Sequence, residues 1–163
     1  MSTCTPTLPL ASSSGPGLRE LAAQASEAGR HEDARRHLLQ AEAQHPGNVD
    51  LQIDLLATEY ELGLYLRAVL RAEALLDQDP ALDDCRFVRA LSLEALFNLP
   101  LAAEEFTRLV HGPRAAHFAD RAPAMAAIAA ERLADITARL APCVDAPRDG
   151  VLRLHTGRDE ALR

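Results

Sequence analysis

Seven residues of this chain recur unchanged at one fixed interval. Leu21/Leu55, Ala23/Ala57, Glu27/Glu61, Gly29/Gly63, Ala34/Ala68, Gln44/Gln78 and Pro46/Pro80 are all separated by 34 positions. Leu96, Ala102 and Leu109 carry the phase on from Leu62, Ala68 and Leu75 with no insertion. A unit of this size cannot bury its own apolar face and must stack on its neighbours. The stretches Gly29-Arg-His-Glu-Asp-Ala34 and Gly63-Leu-Tyr-Leu-Arg-Ala68 therefore read as turns between antiparallel helices rather than as functional loops.

Inside the unit the period is helical. Leu18, Leu21, Ala22 and Ala25 share one helix face, and Gly29 ends that helix where a left-handed residue is needed. Glu32 and Asp33 fall in the first turn of the next helix, where carboxylates suit the positive end of the dipole. Ala34, Leu38 and Ala41 line its buried face, and Pro46-Gly47 stops it. Asn48 is placed to cap the helix that follows. In the third unit Phe97 stands where a glycine is expected, and Asn98-Leu-Pro100 supplies a cap and a proline in the first helical turn. Ala34, Ala68 and Ala102 lie at one position of each second helix. A methyl there lets paired helices approach, and a bulkier side chain would cost about 1–3 kcal/mol.

These units resemble the tetratricopeptide repeat (TPR), on Leu18-x2-Leu21-Ala22-x2-Ala25, Ala34-x3-Leu38 and Pro46 of the first copy. The second copy keeps Leu55, Ala68, Ala72 and Pro80 but has Gln52 where an aromatic is usual; the third keeps Ala90, Leu93, Ala102 and Phe106, with Arg86 at the aromatic position. The resemblance covers about residues 15–114, with repeats over about 15–48, 49–82 and 83–114. It implies an all-α chain: a right-handed superhelical stack of antiparallel helix hairpins, a TPR-like α-solenoid over residues 17–141.

Beyond the repeats, Asp120 is placed to cap a helix with Pro123 in its first turn. Met125, Ile128, Leu133, Ile136 and Leu140 give that helix, about 121–141, one apolar face, which a terminal capping helix needs. Residues 1–16 carry no charge and are rich in Ser, Thr and Pro; they read as a disordered leader. Residues 142–163 read as a flexible tail, and Arg148, Arg153, Leu154 and Arg158 suggest that it folds back onto an acidic groove.

The net charge of −7 argues against a nucleic-acid or anionic-membrane partner. Residues 15–112 hold seventeen acidic side chains against nine Arg, and residues 113–163 seven against eight. There is no Lys, for which a GC-rich genome is the bland reading. Three widely spaced cysteines fit a reducing compartment better than a disulfide scaffold. With no secretory signal and no apolar run of membrane-spanning length, the chain reads as cytoplasmic.

No chemistry emerges from the motifs. His31/His37 and His111/His117 are each six apart, which does not set two imidazoles on one helix face, and no metal or other cofactor is expected. Cys85 lies near a helix start, where a thiolate is favoured, but packing is the simpler role. Asp83-Asp84 and Glu104-Glu105 are helix neighbours that point apart, so neither pair is a catalytic dyad. The resemblance instead implies a non-catalytic protein–protein interaction module, an adaptor or scaffold, whose first helices line a concave groove. The inward positions would be Arg19, Glu20, Ala23, Ser26 and Glu27, then Ile53, Asp54, Ala57, Tyr60 and Glu61, then Asp84, Phe87, Val88, Leu91 and Glu94.

This surface is apolar in its middle and last parts, with an acidic margin. It favours an extended peptide carrying basic and apolar anchors, whereas Asp54 and Asp84 would repel the chaperone carboxylate that some TPR domains hold. Two other readings stay open. Bacterial chaperones of type III secretion translocators are similar in size and repeat number. A homo-oligomer subunit would use the same groove or its capping face for another copy.

Overall fold

The protein is described by a computed structural model covering residues 17–144, with side chains to residue 141. The leader expected over 1–16 and the tail from residue 145 onward lie outside the described residues. Within them the chain forms eight helices and no strand: α1 Leu18–Glu27, α2 His31–Gln44, α3 Val49–Glu61, α4 Tyr65–Gln78, α5 Asp83–Ala95, α6 Leu99–His111, α7 Ala115–Arg121 and α8 Pro123–Val144. Each of α1 to α6 packs on the next in chain order, α3 also touches α5, and α8 lies across α6 and α7. That sequential packing is the pattern of an α-solenoid.

The second helices of the three hairpins begin at His31, Tyr65 and Leu99, each 34 residues after the last. Ala34, Ala68 and Ala102 are fully buried. The cap of α3 forms as expected: Asn48 Oδ1 accepts the Leu51 N–H at 3.3 Å.

The three hairpin turns share one backbone despite their different sequences. Gly29 N–H donates to Ser26 O at 2.9 Å and Arg30 N–H to Ala25 O at 2.8 Å. Gly63 and Leu64 repeat the pair on Tyr60 O and Glu59 O, and Phe97 and Asn98 repeat it on Glu94 O and Leu93 O. This is the Schellman ending of a helix, and it needs a left-handed residue at its centre. Gly29 and Gly63 take φ 71°, and Phe97 takes φ 59°. A side chain there costs about 1–2 kcal/mol that glycine escapes. The third turn therefore keeps the fold of the other two and carries strain in place of glycine. Asn98 makes no side-chain cap bond, contrary to its sequence reading.

Two buried carboxylates staple the hairpins together. Glu59 is 1% exposed and accepts from Arg71 Nε at 3.0 Å and Nη2 at 3.3 Å. The same guanidinium donates to Glu42 at 3.1 Å, so α2, α3 and α4 share one cation. Glu105, 3% exposed, accepts from Arg86, Arg89 and Arg108 at 2.8, 2.8 and 2.9 Å, and Arg89 also reaches Glu73 at 3.3 Å. A carboxylate out of water needs such partners. A guanidinium can fork between two carboxylates, which an ammonium does poorly. Arg71 and Arg89 each make such a fork, so arginine has a structural use at these two places.

The C-terminal end differs from expectation in detail. Asp120 sits inside the short helix α7, and α8 starts at Pro123 itself. Pro123 lacks the N–H that α7 would need to continue and suits a first helical position. The helix also runs on past Pro142, to Val144.

Candidate binding surface

The predicted groove residues divide into an open set and a covered set. At the open end, α1 and α3 enclose a cleft of about 330 Å³. Ala22 and Leu38 are buried beneath it, and Ala23 and Ala57 are exposed to it. Arg19, Ser26, Asp54, Thr58 and Glu61 give it a polar edge. The cleft therefore brings together six of the predicted groove residues: Arg19, Ala23, Ser26, Asp54, Ala57 and Glu61. Glu20 is exposed on the same helix as Arg19 but does not line the cleft.

Electrostatics at this end are shared between helices. Arg19 Nε donates to Asp54 Oδ2 at 2.6 Å, and its Nη1 lies 3.5 Å from Asp50 Oδ2. The hydrogen bond to Asp54, then its charge, raise the Arg19 pKa above its ordinary value, so the guanidinium stays charged. Thr58, buried, donates its hydroxyl to the Asp54 carbonyl at 2.8 Å and so adds no free donor to the cleft. Glu61 is exposed and holds no ion pair among the described residues.

The middle and last parts of the predicted groove are occupied by the protein itself. Phe87 is buried, with ring centroids 6.4 Å from both Phe106 and Phe118. Leu91 packs on the same cluster, together with Met125, Leu133 and Leu140 of α8. Ile53, Tyr60 and Val88 pack against a second cluster built on Leu56, Leu75, Leu76 and Cys85. Burial raises the Tyr60 hydroxyl pKa, helped by neighbouring Tyr65, whose ring lies 5.7 Å away.

The acidic margin is neutralised in the same region. Asp84 takes two hydrogen bonds from Arg121 of α7, at 2.9 and 2.7 Å, and Glu94 pairs with Arg132 of α8 at 3.4 Å. Of the carboxylates expected to face a basic partner, Asp54, Asp84 and Glu94 thus already hold an arginine of this chain.

Cys85, Asp83, Asp84 and His117 are placed as follows. Cys85 is fully buried, and burial pushes its thiol up to about 11. That is opposite to the thiolate a helix start would favour. His117 Nδ1 lies 3.9 Å from Asp83, whose carboxylate is buried and held by Arg114 at 3.1 Å, and Asp84 points to a different arginine. Among the described residues no group of three or more His, Cys, Asp or Glu is arranged to hold a metal ion, and no helix is long and apolar enough to cross a membrane.

What sequence reasoning missed is where the groove stops. The signal was present: the apolar face of α8 has no repeat partner, and Phe87 and Leu91 are larger and more apolar than their counterparts in α1 and α3. A scan against protein-family models and a search of curated proteins found no match to this chain, so the reading of the cleft rests on its own residues.

Proposed function

We infer that the protein is a non-catalytic interaction module of the TPR-like, right-handed solenoid type. It works in the cytoplasm and holds an extended segment of another protein in the cleft between α1 and α3. The observation that carries this is the cleft itself: small apolar walls at Ala22, Ala23 and Ala57 under a polar edge. Those walls admit one apolar side chain of a partner. Of the charged residues that line it, Arg19 is held by Asp54 and Glu61 has no ion-pair partner among the described residues, which favours a basic residue beside that anchor.

The test is peptide selection. Extended peptides selected on the full chain should share an apolar residue next to Arg or Lys. Ala57→Arg would fill the cleft from an exposed position, so the fold should persist by circular dichroism while selected peptides lose at least about tenfold in affinity, or 1.4 kcal/mol. Equal affinity for the folded variant would move the binding surface elsewhere.

A further inference from the structure

Phe97 combines two unfavourable features. Its backbone is left-handed, at φ 59°, and its side chain is 82% exposed. Glycine makes the same pair of turn hydrogen bonds at Gly29 and Gly63 without strain. No buried cluster of the fold includes the Phe97 ring, and Leu96 and Leu101 near it in sequence are exposed as well. An exposed aromatic kept on strained backbone points to a contact outside its own fold.

The same molecule carries a hole suited to such a ring. The cleft between α1 and α3, about 330 Å³, has walls of Ala22, Ala23, Ala57 and Leu38. The surroundings complement each other in charge. Arg132 is half exposed and reaches Glu94, whose carbonyl accepts the Phe97 N–H, through Nη1 alone, at 3.4 Å; its other N–H groups hold no partner among the described residues. At the cleft edge Glu61 is exposed and without an ion-pair partner among the described residues. Phe97 does not line its own cleft, so a second copy is needed to join the two.

We propose that this chain associates with itself head to tail: Phe97 of one copy enters the α1–α3 cleft of the next, and Arg132 meets Glu61 at the edge. The two surfaces differ, so a joined pair keeps one of each unused and the contact propagates into a ring or an open filament. The inference shares its cleft with the peptide reading but does not depend on any foreign peptide.

Two blocked variants of the full chain test it. Phe97→Gly removes the knob and relieves the turn; Ala57→Arg fills the hole. Light scattering should show the wild-type mass growing with concentration and each variant remaining monomeric. Mixed in equal amounts, the two variants should form a dimer that grows no further, because the intact cleft of one takes the intact Phe97 of the other. A raised Tm for Phe97→Gly would show that its lost assembly is not unfolding.

A wild type that stays monomeric up to about 1 mM would overturn the proposal. So would a Phe97→Gly chain that assembles like wild type, or a mixture of the two folded variants that remains monomeric. Peptide capture by Phe97→Gly separates the two readings: a wild type that never assembles while Phe97→Gly still captures peptide removes only this one.

Discussion

The first and third hairpins share a backbone and treat the same register positions in opposite ways. Arg19, Ile53 and Phe87 are 34 residues apart, as are Glu20, Asp54 and Val88, and Ala23, Ala57 and Leu91. Each series ends, at Phe87, Val88 and Leu91, on a more apolar or larger side chain than it begins with. At the α1 end these positions meet solvent, and Arg19 and Ala23 frame a cleft; at the α5 end Phe87 and Leu91 join the cluster that α7 and α8 complete, and Val88 packs on the cluster around Cys85. The repeat sets where a side chain projects. Its size and polarity, together with any extra amphipathic helix, decide whether the place is a binding surface or an interior.

The comparison breaks most visibly at Phe118. This ring is 1% exposed and joins the short helix α7 to Phe87. Phe118→Ala should cost about 3–5 kcal/mol, the usual range for a buried aromatic, measured by urea unfolding. Ala57→Arg at the open end should leave the midpoint almost unchanged. If Phe118→Ala cost under about 1 kcal/mol, α7 would be a loose attachment and the α5 face would count again as groove.

Most of the helical plan was legible in the sequence, because period and turn chemistry are local. Gly29, Gly63, Asn48, Ala34 and Ala68 each do in the structure what their spacing implied. The site was half legible. Arg19, Ala23, Ser26, Asp54, Ala57 and Glu61, far apart in the chain, line one cleft. Phe87 and Leu91 were placed on the groove although α7 and α8 cover them, and that contact joins residues far apart in the chain. Local periodicity has no access to it. The fate of the carboxylates was hidden for the same reason: Arg121 reaches Asp84 across 37 residues and Arg132 reaches Glu94 across 38. Phe97 was visible as an exception but not as a strained copy of the glycine turns.

A second test uses pH. Cys85 lies in the cluster beneath α3, α4 and α5, and the matching position one repeat earlier is Leu51, which does not titrate. Its thiol is raised from 9.0 to about 11 by burial, then by the charges of Asp84 and Asp79. Below pH 9 both folded and unfolded chains keep the proton, so the stabilisation is fully present. Above pH 9 the unfolded chain releases it while the folded chain retains it, so stability falls until the folded thiol titrates near 11. The gap corresponds to roughly 2–3 kcal/mol across that window. Cys85→Ala should flatten most of this loss in urea midpoints taken from pH 8 to 11. A residual slope should remain from Tyr60, whose hydroxyl pKa is also raised by burial. An unchanged slope in the variant would place the alkaline sensitivity elsewhere.

The smallest effect concerns two arginines that tie one helix to another, Arg121 of α7 to α5 and Arg19 of α1 to α3. Arg121 and Asp84 are about half exposed and joined by two bonds; Arg19 and Asp54 are joined by one short bond at the open end. Exposed pairs of this kind contribute about 0–1 kcal/mol, and salt screens them. Arg121→Ala and Arg19→Ala should therefore each lower stability by about 0.5 kcal/mol, with the difference from wild type shrinking in high salt. Their functional consequences should separate. Arg121 lies where the face is already covered, so its loss should leave peptide capture unchanged. Arg19→Ala frees Asp54 at the cleft edge and should strengthen capture of a basic peptide, because the partner's cation no longer competes with an internal one. If Arg19→Ala weakened that capture instead, the guanidinium would belong to the ligand's own recognition, and the cleft would be selecting for a carboxylate.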